Sequence, residues 1–239
     1  MLDLRALPGR LLRAMLPSAC ALCGAHAHDA VCAACEQAYV LPVARCPCCA
    51  NPASALDLGR HCGACLSERP AFDATLAACD YAAPLDSVAL QLKFGAQLAL
   101  APWMARVLHD AVVRSGLALP DVLCPVPLGP ARLVERGYNQ ALEVARPLAA
   151  SLRLPVAPRL LQRVRETKAQ SGAAPGERQK NMRGAFGVDA AVDVRARHVG
   201  VVDDVMSSGH TLNDIAAVLK RAGAARVTNL VFARTPPHA

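Results

Sequence analysis

Apolar residues recur at helical spacing after His210: Ile215, Val218, Leu219 and Ala222 stand at i, i+3, i+4 and i+7, and Gly223 follows as a stop. Thr211 with Asp214 three residues on has the form of a capping box for that helix. On either side the pattern becomes short and continuously apolar, in "HVGVV" (198–202) and "RVTNLVFAR" (226–234), as buried strands require. Upstream, "DATLAACDYA" (73–82) predicts a strand, and residues 85–115 are helix-rich in "LDSVALQLKF" and "LAPWMARVLHDAVVRSG". "PDVLCPVPL" predicts a short strand ending at Pro125 and Pro127, and "NQALEVARPLAASL" a helix that Pro147 should kink. "LPVAPRLLQRVR" predicts a further strand with a turn, and the small, polar and basic "AQSGAAPGERQKNMRGAF" a loop. Strands alternating with helices predict an α/β fold, a mainly parallel sheet with helices on both faces. Ligands of such sheets bind beyond the carboxyl ends of the strands.

Before residue 72 this periodicity is missing and cysteine replaces it. Eight of the 11 cysteines form four C-x-x-C pairs: Cys20/Cys23, Cys32/Cys35, Cys46/Cys49 and Cys62/Cys65. Two intervening residues let both sulfurs turn toward a point about 2.3 Å away, and a second pair completes a tetrahedron around zinc. Pairing in order puts Cys20, Cys23, Cys32 and Cys35 on one zinc and Cys46, Cys49, Cys62 and Cys65 on another. A crossed pairing satisfies the spacing too. Cys48 could replace Cys46 or Cys49, and His61 lies beside Cys62. Four thiolates close a site, so the zinc should be structural. It would supply folding free energy that so short a segment cannot obtain from burial. The expected organisation is an N-terminal helix (1–17), a double zinc ribbon (18–66) and an α/β domain (72–239). Cys79 and Cys124 stand in apolar surroundings and should be inert.

Charge narrows the ligand. From Arg132 to Arg183 there are eleven Lys or Arg against four Asp or Glu, an excess equal to the whole net charge of +7. Such a run fits an anionic ligand. Aromatic residues make up only 3%, which argues against a base-stacking platform, so any contact with single-stranded DNA should be phosphate-directed. Asp3, Arg5, Arg10 and Arg13 interrupt any secretory h-region, and no apolar run reaches about 18 residues, so no stable membrane insertion is expected. A cytoplasmic location follows, with a peripheral position at the inner membrane face left open by the amphipathic stretch 2–16. Nothing in the pattern bears on oligomeric state.

The sharpest chemistry lies in "HVGVVDDVMSSGHTL" (198–212). Here two aspartates close a strand, then a Ser/Gly loop leads into a helix whose free N–H groups and dipole suit a phosphate monoester. The carboxylates would repel that phosphate but suit the vicinal hydroxyls of a ribose. An Asp pair can also hold Mg2+ in a phospho-acceptor domain, which leaves the Ser/Gly loop unexplained. No Lys follows Gly209 as a P-loop needs, and no G-x-G-x-x-G follows the first strand.

"VVDDVMSSGHT" resembles the 5-phosphoribosyl 1-pyrophosphate (PRPP) motif of type I phosphoribosyltransferases, although His210 stands where Ala or Thr is usual. The four-knuckle ribbon, "LKFGAQ", "PVPL…RGYNQA", "RVRETKAQSG…ERQKNMRGAF" and the acid pair follow one another as in the ComF family, which is associated with competence and DNA uptake. The resemblance implies that Asp203 and Asp204 hold ribose and that Met206, Ser207, Ser208, Gly209, His210 and Thr211 hold the 5-phosphate. It implies that the turn Pro125, Val126 and Pro127, with Lys93, Arg132, Arg136, Arg163, Arg165 and Arg178, receives pyrophosphate. Residues 165–183 correspond to the mobile catalytic loop of such enzymes. Asp203, Asp204, Arg136 and Lys168 would be catalytic, and Mg2+ would accompany PRPP.

No acceptor site is legible, and position 2 lacks the Cys of a glutamine amidotransferase. Two functions are therefore expected as alternatives. One is phosphoribosyl transfer to an unidentified acceptor. The other is a PRPP- or nucleotide-sensing module that engages single-stranded DNA or the uptake machinery.

Overall fold

The computed structural model describes residues 18–57, 59–164 and 184–236; the expected N-terminal helix and residues 165–183 lie outside them. The centre is a four-stranded parallel sheet of β3 (Ala74–Asp80), β4 (Val122–Pro125), β7 (His198–Met206) and β8 (Arg226–Arg234), in the order β3-β8-β7-β4. Short strands pair outside it: β1 (Ser18–Ala19) with β2 (His26–Ala27), and β5 (Leu161–Arg163) with β6 (Phe186–Val188). The strand expected in "LPVAPRLLQRVR" is divided: Val156 makes a parallel bridge to Leu123 of β4 at the sheet edge, and β5 pairs in a separate antiparallel ribbon.

The central strands are apolar on both sides because both faces are covered. Neighbouring residues divide between two clusters: Val202, Leu230 and Phe232 join one, Val201 and Val231 the other. The chain forms the short helices α1 (Ala33–Tyr39), α2 (Gly63–Ser67) and α5 (Pro130–Arg136). Helices α3 (Leu85–Phe94), α4 (Leu100–Ser115) and α6 (Gln140–Leu152) cover the first face through Val88, Leu92, Trp103, Leu108, Val144 and Leu148. Helix α7 (His210–Arg221) covers the other through Leu212, Ile215 and Leu219. Helix α6 continues through Pro147, with Ala145 and Leu148 both fully buried.

The cysteine-rich segments divide the same way. Cys20, Val31 and Cys35 pack in the cluster under α3 and α4, while Cys46, Cys48, Cys49 and Cys65 pack in that of α7. The segment around Cys46 is also tied to the sheet edge. Pro47 O accepts from Thr75 N at 3.2 Å, and Arg45 pairs with Asp80 at 2.8 Å.

Two local expectations are corrected. Strand β7 does not stop before the aspartates but runs to Met206, because β8 is long enough to pair with it to Arg234. The Thr211–Asp214 capping box does not form. Gly209 is the N-cap, with φ of 83°, and no side chain caps the helix there.

Candidate functional site

Pairing with β4 ends at Val202, opposite Pro125, so β7 continues through Asp203 and Asp204 with no sheet neighbour on that side. The chain leaving β4 fills the start of this crevice. Val126 N donates to Val202 O at 2.9 Å, pinning the Pro125–Val126–Pro127 turn beside the strand that delivers the acids. Asn139 holds the turn from behind, donating Nδ2 to Val126 O at 3.0 Å while its Oδ1 accepts from Ala141 N at 2.9 Å and caps α6. Asn139 was given no role from sequence, although its place as N-cap candidate before "QALEVA" is readable there.

Asp204 is 1% exposed, and Lys93 Nζ, from the last turn of α3, meets its carboxylate at 2.8 Å. Asp203 is half-buried and accepts from Asp204 N at 2.9 Å. Burial, and then the Asp204 carboxylate, hold its acid well above the ordinary carboxylate range, with Lys93 opposing. Lys93 also lines a cavity of about 430 Å³ together with Phe94, Ala96, Arg132, Glu135, Arg136 and Tyr138. One lysine therefore links the acid pair to a cationic recess. Arg136 lies over the Phe94 ring, 5.4 Å from its centroid, and donates to Gln140 Oε1. Tyr138 anchors the recess by donating to Leu92 O.

Beyond the acids, Met206 is buried, Ser207 and Ser208 are exposed, and Gly209, His210 and Thr211 are half-exposed. The positive φ of Gly209 turns the chain from strand to helix, and a Cβ there would stand 2.6 Å from Met206 Cε. With no capping side chain, the first N–H groups of α7 are available to an anion. Ser208 Oγ and His210 Nδ1 lie 3.0 Å apart, so His210 takes part in the loop's polar edge.

The structure thus brings Asp203, Asp204, Lys93, Arg132, Arg136 and the 125–127 turn to one end of the sheet, with loop 206–211 following directly. Arg163 stands on β5, its guanidinium 5.5 Å from the Phe186 ring centroid, and does not line the Lys93 cavity. Arg165, Lys168 and Arg178 lie outside the described residues.

The sulfurs of Cys20, Cys23, Cys32 and Cys35, and separately those of Cys46, Cys49, Cys62 and Cys65, lie within 4.8 Å of one another, resolving the pairing as in-order. Bonds of about 2.3 Å to a tetrahedral zinc imply sulfur–sulfur edges of about 3.8 Å. Cys23 and Cys32 are 3.8 Å apart, and Cys49 and Cys62 3.5 Å. Backbone amides also point at the sulfurs, Cys32 N at Cys20 Sγ and Cys62 N at Cys46 Sγ, each at 3.3 Å, as suits thiolates. Both quartets fit structural zinc. Cys48 is buried outside the second quartet. Burial pushes the Cys79 thiol up to about 12 and raises that of Cys124, and both side chains are enclosed in the core. No helix among the described residues is long and apolar enough to cross a membrane.

Residues 11–66 match the double zinc ribbon domain family and residues 138–237 the phosphoribosyl transferase domain family. Fold and site thus define a type I phosphoribosyltransferase-like domain carrying a double zinc ribbon. The chain is 34% identical over 227 residues to DNA utilization protein YhgH of Escherichia coli (strain K12), covering 92% of this chain and 98% of that protein. It is 32% identical over 203 residues to Competence protein F of Haemophilus influenzae, covering 82% of this chain and 87% of that one. The chain belongs to the family of these proteins, the ComF family. Among solved structures it is similar to the glutamine PRPP amidotransferase from B. subtilis, at 20% identity and a TM-score of 0.36 over 55% of this chain and 26% of that one.

Proposed function

We propose that this protein binds PRPP at the carboxyl edge of its sheet and presents the ribose C1 for phosphoribosyl transfer to an acceptor. What supports the reading is one juxtaposition: Lys93 touches Asp204 and lines the recess with Arg132 and Arg136, while an uncapped helix N-terminus follows the acids. A ribose 5-phosphate carrying a 1-diphosphate has its charges distributed in that order. Asp203 and Asp204 would accept from the 2- and 3-hydroxyls, Asp204, 1% exposed without ligand, turning from Lys93 to do so as the diphosphate takes up that cation. Loop 206–211 would hold the 5-phosphate with its amides and the hydroxyls of Ser207, Ser208 and Thr211. Lys93, Arg132 and Arg136 would take the diphosphate beside the 125–127 turn.

Departure of diphosphate from C1 develops negative charge on the leaving group and oxocarbenium character on the ribose. Fixed cations on one side and carboxylates on the other stabilise both, and exclusion of water protects the cation. Mg2+ bound with PRPP would neutralise diphosphate charge. The acid pair offers it oxygens but no complete protein cage, as suits a cation carried by its ligand. Arg165, Lys168 and Arg178 would add positive charge at the leaving group, whereas Arg163, on β5 against Phe186, is not among the residues that line the recess. Calorimetry with PRPP and Mg2+ tests the reading. Each charge-assisted hydrogen bond lost is worth about 1.5–3 kcal/mol, so Asp203→Asn with Asp204→Asn should weaken binding by at least 100-fold without unfolding the chain. Unchanged affinity in that double variant removes the ribose assignment. Release of diphosphate across a panel of bases and amines then identifies the acceptor.

A second reading has a specific support in the relatives' names, DNA utilization protein and competence protein. In it the site holds PRPP or a nucleotide as a signal, and the basic stretch and ribbon engage the phosphates of single-stranded DNA or the uptake machinery. Such binding should fall steeply between 50 and 200 mM salt. A flat response refutes it, and PRPP binding without turnover favours it over transfer.

A further inference from the structure

Arg234, the last residue of β8, is 6% exposed and stands between the register partners Asp80 of β3 and Met206 of β7. Its guanidinium donates Nε to Cys49 O at 3.0 Å and Nη2 to Asn51 Oδ1. On the other side Nη1 donates to Met206 O at 3.2 Å and also to Ser207 O. Cys49 belongs to the second cysteine quartet, and Met206 and Ser207 open the anion loop. A second strut joins the same two parts further on. Asn213, in the first turn of α7, accepts from Ala71 N at 2.7 Å, just past that quartet's last ligand, Cys65. Between the struts lies a cavity of about 230 Å³ with Cys65, Arg69 and Phe72 on one wall and Ser208, Gly209 and His210 on the other.

Loop 206–211 is therefore held at its start from Cys49 of the second quartet, and the helix that follows it is held from Ala71, in the chain leaving that quartet. The first quartet packs on the opposite face, reaching α3 through Gln91 Nε2 and Ala21 O at 3.3 Å and α4 through Glu36. We propose that zinc in the second site, and not in the first, sets the anion affinity of loop 206–211, with Arg234 as the residue that transmits the coupling. The inference rests on the phosphate-binding reading of that loop. Without zinc, four unligated thiols no longer fix the backbone of residues 46–65, and Arg234 loses a rigid partner at Cys49 and Asn51. The guanidinium can then no longer hold the Met206 and Ser207 carbonyls in the geometry that aims the following N–H groups outward. Arg suits this role because its planar fork donates to both sides at once, whereas a lysine donates from one point.

Linkage makes the coupling testable on the wild-type chain: whatever zinc does for the anion, the anion must do for zinc. The two-zinc protein is equilibrated with a graded zinc chelator, with and without saturating ribose 5-phosphate, and extracted zinc is measured against a calorimetric titration of the sugar phosphate. The expected result is that one zinc equivalent becomes about tenfold harder to extract while the other is unmoved. In Arg234→Lys the protection should vanish while both zincs remain bound. Asn51→Ala and Asn213→Ala, which leave the guanidinium in place, should each reduce it. If ribose 5-phosphate binds but protects neither zinc, protects both equally, or protects one just as well in Arg234→Lys, the coupling is wrong and the binding site stands. If calorimetry shows no ribose 5-phosphate binding, the site assignment falls and the coupling with it.

Discussion

The Lys93–Asp204 pair offers the most direct test of how the site is held before any ligand arrives. Lys93→Met removes the cation and leaves a carboxylate that is 1% exposed facing a second, half-buried one. At 2.8 Å the attraction is about 6 kcal/mol in an effective dielectric of about 20, much of it offset by the desolvation both groups already bear. Deleting one partner of a buried pair costs about 3–5 kcal/mol; with Lys93 still 26% exposed, screening lowers the expectation to about 2–3 kcal/mol. In a chain of this size that is a fall in melting temperature of about 5–10 °C. The deficit must depend on pH with a definite sign. The Asp203 acid is raised by burial and by Asp204, so above the ordinary carboxylate range the folded chain binds more protons than the unfolded one. Stability is therefore lost as pH rises toward the raised value, and losing Lys93, which opposes the shift, makes that loss larger. Melting curves from pH 5 to 9 should show Lys93→Met close to wild type at the acid end and furthest from it at the alkaline end. Adding Asp204→Asn to Lys93→Met should restore most of the difference, since the uncompensated charge is gone. A deficit that is constant with pH, or a double variant less stable than the single one, would refute the reasoning.

Metal analysis should give close to two zincs per chain; Cys62→Ser should lower this to about one, while Cys48→Ser should keep both because Cys48 lies outside the quartet. Glu36 accepts from Trp103 Nε1 and from Arg106 Nη2, both at 2.7 Å, so Glu36→Gln should change the emission of the single tryptophan and cost about 1 kcal/mol. Arg106 lowers the Glu36 acid, so this contribution is present at neutral pH and lost as pH falls below the ordinary carboxylate range, which melts at pH 7 and pH 3 check. Gly209→Ala should cost about 1–2 kcal/mol from its φ of 83° and weaken phosphate binding in calorimetry, the flexible Met206 end yielding to the new Cβ.

The elements that rest on local periodicity were legible. Ile215, Val218, Leu219 and Ala222 can share a face only on a helix, and eight paired cysteines have few fates besides two metal sites. The acid pair and the Ser/Gly loop were legible because they stand together in one short contiguous stretch, residues 203–209. Other features compete with equally good local alternatives. Thr211 and Asp214 spell a capping box, yet the sharp turn at Gly209 starts the helix earlier. "HVGVV" gives no reason for a strand to continue through two aspartates; the length of β8 does.

Sequence by itself determined the alternation that makes a parallel sheet, the four C-x-x-C pairs that can hold zinc and the acid pair that precedes the Ser/Gly loop, because each depends on residues close along the chain. Only the tertiary structure decided that Lys93 meets Asp204 across 111 residues and shares a recess with Arg136. It also decided that the cysteines group in order, that the two quartets pack against opposite faces and that Arg234 joins the second to loop 206–211. Those contacts depend on which strands become neighbours, and burial of the whole chain selects that order.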